Sequence, residues 1–283
     1  MFFRDRIQNG SKYLNDRSTL KGSARYVILP NDESELREAI RYANKGNTKV
    51  TVSGNRTGSA GGAVPCGGDV MSMEYLRGIV GVGKDEKGVF VRVLPCTTIS
   101  AFNDIITNST PEQIDPEDPA DVKGLSFPVK EVPTSTVGGC IAANRSDIRR
   151  FVRRIKVVFT DGTFTTISRG EFVANGRWMV FTAGRNYYSF QIPSYTSDDD
   201  FGPKVCENMD LIDLFIGSEG IFGIITEADV YVSSEACEKE TLESGKLFNG
   251  YIKERYGQKA VEEIVKVKGI LDPNYILNVG NLI

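Results

Sequence analysis

The sequence predicts an α+β fold of two α/β subdomains. Three observations predict it: a strand–helix–strand opening, hairpin and β-rich signals through the middle, and glycine-dense segments at three distant places. The opening unit comes first. Arg25-Tyr26-Val27-Ile28-Leu29-Pro30 reads as a short strand stopped by proline. Asn31 to Glu35 supplies a helix cap with acids in the first turn, and Leu36, Ala39, Ile40 and Ala43 recur at helical spacing up to Gly46. Lys49-Val50-Thr51-Val52-Ser53 is a second, β-branched strand, so a small parallel α/β unit is expected.

Further along, Val70 to Met73, Gly78 to Val82 and Gly88 to Val93 read as strands, and Thr98 to Ile106 as a helix. Residues 107–130, rich in Pro, Asp and Glu, read as a long loop. Arg154 to Thr160, Asp161-Gly162 and Thr163 to Ile167 give a hairpin signal. Glu207 to Phe215 suits a helix or turn, and Ile221 to Val232 is β-rich. Residues 235–268 are charged, with Phe248, Ile252, Val261, Ile264 and Val265 at helical spacing. The expected units are 1–85, a small α/β subdomain; 86–232, a larger and mostly antiparallel one; and 233–283, a helical segment with a tail docked on the first.

Composition narrows the chemistry. The 283 residues are 40% hydrophobic and 25% charged, ordinary globular values. A net charge of −3 gives no electrostatic case for nucleic acid, and no apolar run approaches the roughly 20 residues of a membrane span. The opening residues lack a secretory apolar stretch, so a cytoplasmic protein is expected. The five cysteines are widely spaced with no Cys-x-x-Cys pair, which argues against a disulfide framework and against a metal site. Histidine is absent. That excludes Ser-His-Asp and Cys-His hydrolases and removes the commonest general base and metal ligand.

Segment one is Ser53 to Pro65, a glycine-rich loop after a strand, which lets main-chain N–H groups approach a phosphate. It lacks the Gly-Lys-Ser/Thr of a Walker A loop and the spacing of a Rossmann fingerprint. Alone, a flexible surface loop explains it equally well. Segment two, Pro133 to Asn144, sets small hydroxyls and paired glycines at the mouth of an apolar run; a tight turn before a buried helix is the plain alternative. Segment three, Asp210 to Ala228, breaks an apolar run with Gly217, Gly220 and Gly223. Burying such main chain demands hydrogen-bond partners, some of which a ligand can supply.

Together the three segments resemble the FAD-linked oxidases of the vanillyl-alcohol-oxidase / p-cresol-methylhydroxylase (VAO/PCMH) type, nearest to glycolate oxidase and D-lactate dehydrogenase flavoprotein subunits. Gly54-Asn55-Arg56-Thr57-Gly58-Ser59-Ala60-Gly61-Gly62-Ala63-Val64-Pro65 is similar to the family's first loop, with Arg56 in place of a glycine. Thr136-Val137-Gly138-Gly139 with Asn144 is similar to the second, and Gly217 to Glu227 matches the third almost throughout. Asp272-Pro273 to Gly280 is similar to the family's C-terminal motif, with Val279 and Asn281 as departures.

The resemblance implies a PCMH-type FAD-binding fold with non-covalent FAD between the subdomains. It implicates Ser53, Gly54, Asn55, Arg56, Thr57, Gly58 and Ser59, then Pro133, Thr136, Gly138, Gly139 and Ala142, then Gly223 and Ile225. It implies an FAD-dependent oxidoreductase that takes electrons from a small molecule such as a 2-hydroxy acid and passes them to an iron–sulfur or other acceptor subunit. The alternatives are a self-sufficient dehydrogenase with a non-histidine base, and a flavin-binding subunit without substrate chemistry. Only the stretch from Ser233 to Gly269 stands where the family carries a long substrate-covering domain, so the chain reads as the FAD module without its cap. No catalytic base can be named. Arg56, Arg145, Arg149 and Arg150 are candidates for positive charge near phosphate, with Arg149 and Arg150 read as solvated. Cys140 reads as a packing residue rather than a tether, Tyr187 and Tyr188, flanked by Arg185, as half-buried aromatics or a stacking surface, and Asp198-Asp199-Asp200 as a solvated loop.

Overall fold

The computed structural model describes residues 2–8, 10–110, 121–197, 202–237 and 250–283. Asp198 to Asp200 and Phe248 lie outside the described residues. Helix α1 (Glu33–Lys45) starts where the sequence caps it: the Asp32 carboxylate accepts from the Glu35 N–H at 2.9 Å. Its stripe of Leu36, Ala39, Ile40 and Ala43 is fully buried. Burying the larger members, Leu36 and Ile40, contributes roughly 1.5–3 kcal/mol each. The strands beneath are β1 (Phe3–Arg6), β2 (Tyr26–Leu29), β3 (Val50–Ser53) and β4 (Asp69–Ser72).

Their order is β1-β2-β4-β3, with β2, β4 and β3 parallel and β1 antiparallel at the edge. The expected parallel unit is therefore present, with β4 inserted between the two strands that flank α1. Crossing from β3 to β4 requires a long connection, and that connection is the glycine-rich loop. Its return is tight: at Gly68 (φ +71°) an added Cβ would sit 2.1 Å from the Lys49 carbonyl oxygen.

The second sheet is antiparallel, with order β5-β6-β11-β7-β8: β5 (Ile79–Asp85), β6 (Gly88–Val93), β7 (Val152–Val158), β8 (Phe164–Ser168) and β11 (Ile224–Tyr231). The hairpin expected around Asp161-Gly162 is β7–β8. Strand β11 lies at the centre, so segment three, which runs into it, is delivered to the middle of the molecule. β5 pairs with β6, so this sheet begins at Ile79. A separate hairpin, β9 (Trp178–Ala183) with β10 (Asn186–Gln191), covers the large aromatic cluster of Phe159, Phe181 and Phe215.

Among the described helices, α2 is Ile99–Asn108, α3 Val137–Ala142, α4 Ile212–Phe215, α5 Tyr251–Tyr256 and α6 Gln258–Leu271. The last two pack Tyr251, Ile252, Ala260, Ile264 and Val267 into the large core. The tail after them docks on the first sheet: the Val50 N–H donates to the Ile276 carbonyl at 2.7 Å and the Asn278 N–H to Val50 at 2.9 Å. A buried Lys268 turns the chain into that tail, donating to the carbonyls of Ile221 (2.8 Å) and Leu277 (2.9 Å) and to the Asp272 carboxylate (3.0 Å).

Arg149 departs from the solvated arginine the sequence suggested. It is buried, with its guanidinium donating to the main-chain carbonyls of Asp213 (2.7 Å), Gly202 (2.9 Å) and Ile216 (2.8 Å) and to the Asp213 carboxylate. Arg150 does stay exposed, paired with Asp147 at 2.7 Å.

Candidate functional site

A cleft of about 1120 Å3, its open mouth included, lies where the three segments meet. Segment one forms one wall. The N–H groups of Gly54 through Gly58 donate to no acceptor among the described residues, which leaves a run of bare donors along the cleft. Unpaired main-chain donors of this kind are suited to an anion. Arg56 sits in the left-handed region at φ +56°, where an L side chain is strained. This is the position at which the resembled loop has glycine. Its guanidinium folds back on its own loop, 2.9 Å from the Gly54 carbonyl and over the Tyr13 ring at 5.1 Å.

Segment two forms the facing wall. Thr136 caps α3, its hydroxyl accepting from the Gly139 N–H at 3.2 Å. The two segments are stitched by Thr57 Oγ1 and Ser135 Oγ at 3.0 Å and by Asn55 Nδ2 donating to the Thr134 carbonyl at 3.0 Å. Contact is close enough to require small residues: a Cβ on Gly54 would lie 2.7 Å from Thr136 Oγ1, and one on Gly138 2.7 Å from Pro95. The Gly138 and Gly139 N–H groups already have protein acceptors, so these glycines serve approach rather than donation.

Segment three closes the floor. The Gly217 N–H donates to Ile141 (3.0 Å) and the Glu219 N–H to Ala142 (2.8 Å), tying it to segment two. Gly223 packs on β7, where an added Cβ would meet Val157 at 2.5 Å.

Of the sequence-implicated residues, Gly54, Asn55, Arg56, Thr57, Gly58, Ser59, Thr136, Gly138, Gly139, Ala142, Gly223 and Ile225 line the cleft. Ser53 and Pro133 do not. Ser53 is buried at the end of β3 with its hydroxyl unpartnered, and Pro133 is exposed, its carbonyl accepting from Ser100. The lining adds residues that glycine patterns do not single out: Met73, Pro95, Glu219 and Asn278. Glu219 and Asn278 stand inside the family-like motifs and were legible there; Met73 and Pro95 arrive only through strand ends.

Arg145 lines the cleft, carried by a tight stretch in which Asn144, Ser146 and Asp147 all have positive φ. Cys140 also lines it, buried so that its thiol is pushed far up and stays un-ionised. Burial pushes the Glu219 carboxyl up to about 7, Asp16 adding to the rise and Arg145 opposing it. Arg185, Tyr187 and Tyr188 line a separate depression with Asp161 and Ile270, away from the cleft. No group of three or more His, Cys, Asp or Glu that could hold a metal occurs among the described residues. Among them, too, no helix is long and apolar enough to cross a membrane.

Comparison with known proteins bears on this geometry. Residues 24–109 match the FAD binding domain family. Over 224 residues the chain is 26% identical to the D-lactate dehydrogenase of Anaerostipes hadrus, covering 78% of this chain and 39% of that protein. Over 219 residues it is 24% identical to glycolate oxidase subunit GlcD of Bacillus subtilis, covering 76% and 38%. The chain thus spans about 39% of the length of the curated relatives it matches. The solved xylooligosaccharide oxidase from Myceliophthora thermophila C1 superposes with a TM-score of 0.52 at 13% identity, covering 81% of this chain and 41% of that one, a likeness of fold. Segment order, fold and sequence matches agree: residues 24–109 are similar to the FAD binding domain family, and the chain shares its fold with a solved oxidase.

Proposed function

We propose that this chain holds FAD non-covalently in the cleft and acts as an FAD-dependent oxidoreductase, drawing electrons from a small 2-hydroxy acid and passing them to a partner. The observation that carries it is the convergence of three distant segments, with the unpaired N–H groups of Gly54 to Gly58 on one wall. Those donors suit a diphosphate, and the small residues Gly138, Gly139 and Ala142 let a flat or extended ligand approach the opposite wall. Arg145 adds the positive charge that a diphosphate draws on. Thr57 and Asn55, bonded across to Ser135 and Thr134, hold the walls at fixed separation. When bound, the flavin ring supplies hydride-accepting chemistry that no side chain provides.

The 2-hydroxy-acid class rests on the names of the relatives, D-lactate dehydrogenase and glycolate oxidase subunit. Non-covalent attachment is supported by the absence of histidine and by the un-ionised Cys140, which removes the usual tethering nucleophiles. A second reading, a flavin-holding subunit with no substrate chemistry, is favoured by one feature: among the described residues Glu219 is the only carboxylate lining the cleft.

One anaerobic experiment separates these. The purified chain, saturated with FAD, is expected to be yellow and to be reduced by D-lactate or glycolate only once a partner or cap-bearing protein is added. Reduction by the hydroxy acid unaided removes the partner. Failure to retain added FAD removes the cofactor assignment. Gly58→Val is expected to lower FAD affinity at least tenfold, by blocking the bare main chain, while leaving the circular dichroism spectrum unchanged.

A further inference from the structure

Glu219, like Arg56 and Asn278, is a cleft-lining residue with a left-handed main chain, and its main chain is pinned from several sides. It takes φ +50°, a left-handed conformation costly for glutamate. Its carbonyl receives Asn278 Nδ2 at 2.5 Å and Asn281 Nδ2 at 3.3 Å, and its N–H is fixed on Ala142. The tail asparagines also grip the opposite side: Asn278 Oδ1 accepts from the Val52 N–H at 2.8 Å, and Asn281 Nδ2 donates to the Gly62 carbonyl at 2.9 Å. All this main-chain fixation aims one carboxyl group under the Gly61-Gly62 turn, where a Cβ on Gly62 would lie 2.3 Å from Oε2. Among the described residues the carboxyl has no hydrogen-bond partner, and it opens on the cleft.

We propose that Glu219 is a cofactor-contacting acid, protonated when the cleft is filled and donating its carboxyl O–H to an oxygen of the bound dinucleotide. The assignment rests on the FAD reading of the cleft. A carboxylate facing an anion cradle without a partner is repulsive to the ligand; the neutral acid is instead a donor, like the N–H groups across from it. The charged groups that face it are Arg145 and Asp16, and Arg56 lines the same cleft. With its carboxyl near 7 before the ligand arrives, the proton is taken up at little cost around neutrality. Linkage then sets the sign. Affinity is flat where Glu219 is already protonated and falls as pH rises through and above that value, by about tenfold per unit.

The test is FAD affinity from pH 5.5 to 8.5, by flavin fluorescence and calorimetry, on the full chain and on Glu219→Gln. Glutamine keeps a donor that cannot ionise. Wild type is expected to lose affinity above pH 7 while E219Q stays flat. Wild type is also expected to take up about one proton per FAD at pH 8, read in two buffers of different ionisation enthalpy. This second measurement stands if E219Q fails to fold. A sloping E219Q profile, a folded E219Q that binds no FAD, or a flat wild-type profile without proton uptake each overturns the assignment alone. A wild type that binds no FAD at any pH overturns the cleft reading and this assignment with it.

Discussion

Arg149, buried behind the cleft, and Glu219, half-buried in its floor, are two charged side chains treated in opposite ways. Arg149 meets three carbonyls and a carboxylate, and Arg169 adds a second cation on Asp213 at 2.8 Å. Glu219 has its main chain pinned and its carboxyl left without a partner. A saturated buried ion is a fastener; an unsaturated one facing a cleft stores a free-energy cost that a ligand can relieve. The contrast separates what holds the wall from what the wall is for.

The sharpest break of this contrast is Arg149→Met. It strands three buried carbonyls and leaves the Asp213 carboxylate to Arg169 alone, and a loss of roughly 3–5 kcal/mol is expected in urea unfolding. A loss below 1 kcal/mol would show that the network holds nothing. Lys268→Met comes next, at about 3 kcal/mol by the same measurement, because Asp272 would be left buried without its cation. The loss should come with weakened FAD binding, since this lysine turns the tail towards the cleft.

Glu219→Gln should go the other way. The folded-state carboxyl is raised from 4.5 to about 7, so the folded chain holds its proton more tightly than the unfolded one. Wild-type stability without FAD therefore declines between about pH 4.5 and 7 and levels off above it. At pH 8 the variant is expected to exceed wild type by about 2 kcal/mol, and at pH 4 to equal it. Equal pH profiles for the two proteins would remove the stored cost. The smallest effect belongs to Thr136→Ala, which loses the α3 cap for about 1 kcal/mol in thermal unfolding.

Sequence carried much of this and missed the rest for physical reasons. The α1 stripe and the β7–β8 hairpin are local patterns, and local patterns are legible. Segment three could be recognised because its glycines are forced by contacts a Cβ would break, as at Gly223. The place of β4 between β2 and β3 could not be seen, because strand neighbours are chosen by pairing across distant sequence. Nor could the burial of Arg149, whose partner Asp213 lies 64 residues away. The β9–β10 hairpin went unread although Trp178, Val180 and Thr182 alternate with Met179, Phe181 and Ala183, because its outward face is itself apolar and blurs the period. Glu219 stood in plain view within Gly-Ser-Glu-Gly, overshadowed by glycines that make room for Gly202 and Asn278.

The tail pairing has a consequence for how the molecule is made. Val52 meets Asn278 across 226 residues, so the glycine-rich lip cannot be finished until Asn278 has been synthesised. Closing a loop of that length is a late and slow event in folding. During translation the first sheet waits with the outer side of β3 unpaired, exposed to mispairing with other nascent chains.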